Sequence, residues 1–456
     1  MVEVRSAPAD GFDLHSEMVV IGAGASGMVA ALAASESGRQ VLVVEADSSA
    51  GGATALSAGL IPAGGTTVQK QAGIEDSPEV FAADIHEQTS NQHEPALIQG
   101  VTENSVKVID WLRQRHGFEF SLMAEAKVSG HSKPRLHGLP TRSGIELVDR
   151  LRASCERNRV KFLFSTKCET VFAKDRLIAG VAVKSKNGQT KSIACNHLIL
   201  ASSGFGANRD LVSKHMPAVK NGFALGHDRS RGDALSWGIK LDADTRYLSA
   251  YHGHGNVSVP NGILVPWDVI EHGGVQVNRY GRRFWNEAGG SSAAAAAVLA
   301  QENGEAFAIF DTRIASIARR NADFRMLDAQ GVFSIANTLG DLACLLGLPI
   351  GNLERTVADI PTTGQDGFGR EFSSERLMPP YYGIRVTGAL LHTQGGLRTN
   401  ASGRVFHQDG TLFENLFACG GAAVGVSGAG VSGYLPGNGL LTAFALGYGA
   451  GASIGA

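Results

Sequence analysis

Cysteine is scarce in this sequence and follows no pattern. There are five (Cys155, Cys168, Cys195, Cys344 and Cys419), odd in number and without a C-x-x-C. That excludes a disulfide framework, a zinc ribbon and an iron–sulfur cluster, and no C-x-x-C-H offers haem an anchor. A reduced, cytoplasmic chain with no metal site is expected. Charge of one sign is lacking too: the net charge is −2, so no basic field calls for nucleic acid or an anionic membrane. The N-terminus has no apolar h-region, and a signal peptide is not expected. From Asn415 onward there is no Asp, Glu, Lys or Arg at all. Glycines and Pro436 interrupt that stretch, so it reads as a buried helix under a bound group rather than a membrane span.

Glycine is what the chain has in excess, 58 of 456 residues, clustered at 22–27, 51–65, 273–290 and 420–439. Such clusters bring backbone close to a ligand. The length suggests about two domains. "EMVVIGAGASGMVAALAASESGRQVLVVEAD" reads as a complete βαβ unit, with a buried strand, a helix of small residues and a second strand ending at Glu45. "HLILASSGFG" (197–206) and "LFACGGAA" (416–423) repeat the pattern of a strand closing on glycines, which predicts a parallel α/β sheet. The region 245–375 has its own mixture of helices and short strands, among them "SSAAAAAVLA" and "GEAFAIFD", and reads as an inserted second domain.

Gly22, Gly24, Ala25, Ser26 and Gly27 lie in a G-x-G-x-x-G between strand and helix, with Glu45 and Ala46 at the end of the next strand. The first glycine makes the turn, the second admits a pyrophosphate, and the third lets helix pack on strand. The helix N-terminus faces the phosphates, and Glu45 is placed to accept ribose hydroxyls. A second turn, "GGATALSAG", carries Gly51, Gly52, Thr54, Ser57, Ala58 and Gly59, more than a plain NAD domain needs.

Here the chain resembles the flavoprotein family of the fumarate reductases and succinate dehydrogenases, which includes the 3-ketosteroid Δ1-dehydrogenases. The resemblance runs through "VVIGAGASG", "GGATALSAG", "GHSKPRLHG", "ASSGFGAN", "RGDAL", "GRRFWNE", "HTQGGL" and "PGNGLLTA". It implies a Rossmann-type FAD-binding domain (1–244 and 376–456) split by an α+β capping domain (245–375), the cap mobile on two linkers. It also implies redox of a carbon–carbon bond beside a carbonyl or carboxylate. Covalent members place a histidine after the second Gly-Gly; residues 53–59 hold none, so non-covalent FAD is expected. Ala201, Ser202, Gly204 and Gly420 join the cofactor set. The backbone amides of Asn438, Gly439 and Leu440, opening the last helix, are expected to face the flavin N1–C2 region. Arg135, His131 and His137 are expected to line the cap–flavin cleft or hold FAD.

The substrate side departs from the fumarate reductases. Their proton-donating arginine after "RFxNE" has no counterpart in "RRFWNEAGGSSAAAAA", nor has their carboxylate-binding arginine before the Gly-Asn turn in "GAGVSGYLPGNG". Their histidine in "HTxGG" matches His392, and another aligns with Tyr251. Each departure removes positive charge, which leaves a dicarboxylate unpaired in a closed site. The ketosteroid dehydrogenases instead carry a tyrosine before a Pro-Gly-x-Gly turn, resembled by Tyr434 with one residue inserted. Tyr434 hydroxyl and the Gly439 amide are thus candidates to polarise a ketone, with Tyr251, His252 or His392 for proton transfer or orientation. The reading is α,β-desaturation, or the reverse ene reduction, of a small, cyclic or acyclic ketone. O2, a diffusible carrier or a redox partner protein would take the electrons. Two alternatives stand: a fumarate-type carboxylate oxidoreductase using Arg385 or Arg398, and a flavin-binding subunit without turnover.

Overall fold

The structure is a computed structural model that describes residues 2–455 except 93, 124–127, 373–374 and 432. The chain forms two compact units, one of Met1–Leu211, Gly226–Tyr251 and His392–Ala456, the other of Val212–Leu225 and His252–Leu391.

In the first unit, strand Leu14–Ile21 lies between Val41–Val44 and Thr190–Leu200, parallel to both. Leu412–Ala418 adds in parallel beside Thr190–Leu200. These apolar runs are buried on both faces, as a parallel sheet requires. The helix Ala25–Glu36 returns the chain across one face. Against it packs the last helix, Asn438–Gly455. Cβ atoms built at Gly447 and Gly451 would stand 2.5 Å from Ser26 O and 2.3 Å from Ala30 O, so small residues let the two helices touch. That contact explains the uncharged C-terminal stretch: the helix is apolar on nearly every side because it is buried. No helix among the described residues is long and apolar enough to cross a membrane.

The sheet holds an element the strand-and-glycine pattern does not predict. Thr166–Lys174, Leu177–Ser185 and Thr190–Leu200 form an antiparallel meander on its edge, capped by the parallel strand Glu3–Arg5. Its signal is present in "TVFAKDRLIAGVAVKSKNGQTKSIAC", where apolar residues alternate with polar ones around an Asn-Gly turn.

The second unit is built on an antiparallel sheet in which Tyr381–Thr393 pairs with Glu305–Asp311, itself paired with Val275–Val277. Its core joins Val275, Ile309, Phe310, Phe324, Phe333, Leu342 and Tyr382. The sequence predicts one continuous insertion, 245–375, whereas this unit takes chain from two places. Strand Phe223–Ala224 pairs in parallel with Ala389 and Leu390, which draws residues 212–225 into it and carries its boundary to Leu391. Four buried charges are matched beside that core. Arg283 pairs with Glu287 and Asp366, and Arg370 stands 3.2 Å from Glu287.

Candidate active site

The turn after strand Leu14–Ile21 is made of backbone. Gly22 has φ +112°, and a Cβ there would fall 2.4 Å from Ala201 O; one at Gly27 would fall 2.0 Å from Gly22 O. Any side chain would push the helix off the strand. Gly24, Gly51 and Gly52 differ. Their built Cβ atoms meet nothing nearer than 3.6 Å, so their missing side chains leave a cradle between the two glycine turns. Gly24 caps the helix without any side-chain hydrogen bond, and the first turn holds no acid. A dinucleotide pyrophosphate fits this cradle: helix-end amides, open room and no competing carboxylate. Beside it the Ser202 hydroxyl is buried with no hydrogen-bond partner among the described residues, next to buried Ala201 and Gly204. These residues fit FAD.

Side chains of the same motifs serve the backbone. Glu45 Oε2 accepts from the Ala23 amide at 2.7 Å and Oε1 from the Asp47 amide at 2.8 Å, so the carboxylate ties the turn to its own strand end. Thr54 Oγ1 accepts from the Ala25 amide at 3.0 Å, while Ser57 donates to Thr54 O and accepts from the Gly59 amide. Ser26 is buried against Gly420, whose built Cβ would stand 2.6 Å from Ser26 Oγ, and its hydroxyl bonds the Cys419 thiol. The hydroxyls of Ser26, Thr54 and Ser57 therefore work inside the chain. Ala46 is half-buried and Ala58 exposed, neither with a polar side chain to offer.

Arg135 and its neighbours form a brace. Arg135 is fully buried and bonded to Asp76, at 2.7 Å, and to Asp84. His137 Nδ1 donates to Arg135 O at 2.7 Å, its Nε2 accepts from Thr66 Oγ1 at 2.8 Å, and burial pushes it down to about 4. His131 Nε2 lies 3.0 Å from Pro436 O, so this segment grips the turn before the last helix.

At that turn the structure brings His392, Tyr434 and Gly439 together. The His392 and Tyr434 rings meet edge to face, centroids 5.7 Å apart. A Cβ on Gly439 would lie 2.9 Å from His392 Cε1, so only glycine lets the ring rest on the start of the helix. Burial drives Tyr434 up to about 12, against the pull of hydrogen bonds from the Gly439 and Gly437 amides to the phenol oxygen. The Gly439 amide thus serves Tyr434, and the Asn438 amide donates to Leu435 O at 3.0 Å. Two of the three amides expected to face the flavin have partners in the chain; Leu440 follows them in the helix's first turn. Asn438 Oδ1 is buried with no partner among the described residues. Burial holds His392 down to about 4, so its ring is neutral.

Tyr251 and His252 are consecutive on strand Tyr251–Ser258 and face opposite sides of it. Tyr251 is 2% exposed, its hydroxyl has no partner among the described residues, and burial raises it to about 12. Gln394, Ser427 and Asn438 form a buried hydrogen-bond chain leading to His392 that sequence reasoning misses. Its one signal is an amide between the histidine and the glycines of "HTQGG". No group of three or more His, Cys, Asp or Glu among the described residues could hold a metal ion.

Residues 17–440 match the family model described as FAD binding domain. A fumarate reductase (cytochrome) of Shewanella frigidimarina is 28% identical over 434 residues, covering 93% of this chain and 74% of that one. The solved structure of an open flavocytochrome c3 fumarate reductase superposes with a TM-score of 0.82 at 26% identity, over 98% of this chain and 79% of that one. A 3-ketosteroid-Δ4-(5α)-dehydrogenase from Rhodococcus jostii RHA1, solved with 4-androstene-3,17-dione, shares the fold with a TM-score of 0.81 at 23% identity, covering 100% of both chains.

Proposed function

The chain belongs to the FAD binding domain family, that of FAD-dependent oxidoreductases acting on CH–CH bonds, and from that premise we propose that it desaturates, or in reverse reduces, the α,β bond of a small ketone. The observation that carries this reading is the neutral pair at the start of the last helix, where His392 meets Tyr434 and the chain from Asn415 onward brings no Lys or Arg. The arginines that could replace the missing charge are committed elsewhere. Arg398 faces Glu94 at 3.2 Å and Asp244 at 3.5 Å, and Arg385 faces Glu305 at 3.5 Å. Arg135 is held by its two aspartates.

Tyr434 is arranged as a donor. In this reading the amides of Gly437 and Gly439 steady its oxygen and its O–H donates to an incoming carbonyl oxygen. With its pKa near 12 the phenol keeps that proton at neutral pH. As the α-carbon gives up its proton, negative charge grows on the carbonyl oxygen, and a positioned donor near a helix N-terminus stabilises it. The α-proton goes to a base, for which Tyr251 and His252 remain candidates beside His392. FAD, when bound, would supply the acceptor for the hydride from the β-carbon, with O2, a diffusible carrier or a redox partner as the final electron acceptor. Gly24, Gly51, Gly52 and the Ser202 hydroxyl would line the dinucleotide cradle, which Gly22, Ala25, Gly27 and Gly204 shape from behind. The attachment is non-covalent, since 53–59 offers no histidine. The second unit, with a core of its own, is assigned the capping role.

A second reading is favoured by the relatives named as fumarate reductases: a carboxylate oxidoreductase. Anaerobic titration separates the two. Bleaching of the flavin absorbance by cyclic ketones, with an artificial acceptor restoring it, supports the ketone reading. A response to succinate or fumarate and to no ketone overturns it.

A further inference from the structure

We infer that Gln394 is a positioning residue that fixes His392 in its Nε2–H tautomer, through a one-way chain of hydrogen bonds running from Asn438 by way of Ser427. The inference deepens the site proposed above and rests on that reading only for its consequence in turnover. The chain has four members, all in the first unit. Asn438 Nδ2 lies 3.2 Å from Ser427 Oγ, Ser427 Oγ lies 2.8 Å from Gln394 Oε1, and Gln394 Nε2 lies 3.0 Å from His392 Nδ1. An amide nitrogen only donates. Asn438 therefore gives its proton to Ser427, whose hydroxyl is left to donate to the Gln394 carbonyl. The opposite end of the Gln394 amide must then donate to His392 Nδ1, which has to accept. A neutral imidazole has one proton, and it is left on Nε2.

The chain is built to stay in this direction. Gln394, Ser427 and Asn438 are 5%, 2% and 0% exposed, so water cannot substitute for a lost partner. The Gln394 backbone is pinned on both sides, its amide donating to Ala250 O and its carbonyl accepting from the Gly425 amide, each at 2.8 Å. A Cβ on Gly425 would stand 2.8 Å from Gln394 Oε1, so glycine makes room for the side-chain carbonyl. Turning the Gln394 amide over would set two donors, Asn438 and Gln394, on Ser427 and strand the serine proton.

The consequence separates the roles left open at the site. The lone pair of His392 is occupied by Gln394, so the ring is a neutral donor and the α-proton leaves to another base. Asn438 opens the last helix, so the same chain ties His392 to the helix start on which its ring rests.

Nitrogen NMR of FAD-loaded protein labelled with 15N-histidine tests this without any substrate. Loss of one resonance set in His392→Gln assigns the residue among 14 histidines. In the wild type, the expected result is protonated Nε2 and bare Nδ1. Gln394→Glu replaces the donor with a carboxylate, which only accepts, and should move the proton to Nδ1 or charge the ring. A wild-type ring protonated on Nδ1, or a Gln394→Glu ring still bare there, overturns the inference. If Gln394→Glu does not fold, the wild-type spectrum decides alone, and Ser427→Ala should mix the two tautomers. Because no ketone enters the measurement, failure of the ketone reading leaves this result standing, and the reverse.

Discussion

The two glycine-rich regions of the first unit, 22–59 and 425–440, handle their ligand groups by opposite means. In the first, side chains brace the backbone and the backbone does the binding: Glu45, Thr54 and Ser57 spend their oxygens on amides and carbonyls of the turns. In the second, the backbone braces the side chains. The amides of Gly437 and Gly439 hold the Tyr434 oxygen, and Gly439 makes room for His392. A backbone cradle suits a group common to many proteins, such as a pyrophosphate, whereas side chains on a helix start can be exchanged to suit one substrate. That difference also explains what could be read from sequence. Glycines at 22, 24 and 27 announce themselves by spacing. Nothing in the spacing of Gln394, Ser427 and Asn438 says that they meet.

The largest effect should come from breaking the backbone-built end. Glu45→Arg removes the acceptor of two amides and sets a cation beside the phosphate turn's own brace. Leaving two part-buried donors unpaired costs about 2–6 kcal/mol. The purified variant should be colourless and fail to regain flavin absorbance with added FAD. Retention of stoichiometric FAD would mean that Glu45 does not organise the cradle. Acid precipitation of the wild type should release all flavin into the supernatant; colour left in the pellet would refute non-covalent attachment.

The side-chain-built end should fail differently, in rate and not in flavin content. Tyr434→Phe keeps the ring against His392 and removes one donor to developing charge, a loss typically of about 10²-fold in turnover. Normal FAD content with a slowed flavin bleach by ketone is the expected pair of results. A wild-type bleaching rate would remove Tyr434 from the chemistry.

Gly439→Ala sharpens the comparison further. The new Cβ, built 2.9 Å from His392 Cε1, has to displace the imidazole by a few tenths of an ångström. Misplacement on this scale should slow turnover by about tenfold. FAD retention should not change, because the cradle at 24 and 51–52 is untouched. Equal losses of flavin and of rate would show that the two regions are one coupled structure and do not divide binding from rate.

The fold was legible where one periodicity ruled. The βαβ start, the buried strand at 197–200 and the small-residue helices declare themselves through continuous apolar runs and glycine spacing. The meander at 166–200 escaped because Lys and Thr alternate into its strands, so each looks polar until the Asn-Gly turn is weighed. The segment 212–225 escaped because its membership in the second unit depends on a pairing with Ala389 and Leu390, far along the chain. Hydroxyl roles escaped for a similar reason: whether Thr54 faces a ligand or the Ala25 amide depends on where its turn folds back.

Histidines give the smallest expected effect, and it can be read in each unit by itself. His137 and His392 in the first unit and His254 in the second are each held down to about 4 by burial. Their ordinary value is 6.5. Unfolded, each takes up a proton as the pH drops below 6.5, while the folded form refuses it until about 4. Their contribution is therefore complete above 6.5 and is lost as pH falls toward 4. Each should cost about 1–2 kcal/mol of stability on going from pH 7 to pH 5. Urea unfolding of the wild type and of His137→Gln and His254→Gln at the two pH values measures this. The variants are expected to start less stable at pH 7, His137→Gln through its lost bonds to Thr66 and Arg135, yet to lose less on acidification than the wild type does. A variant that loses as much as the wild type over that interval shows that its histidine is already charged, or already wet, in the folded chain.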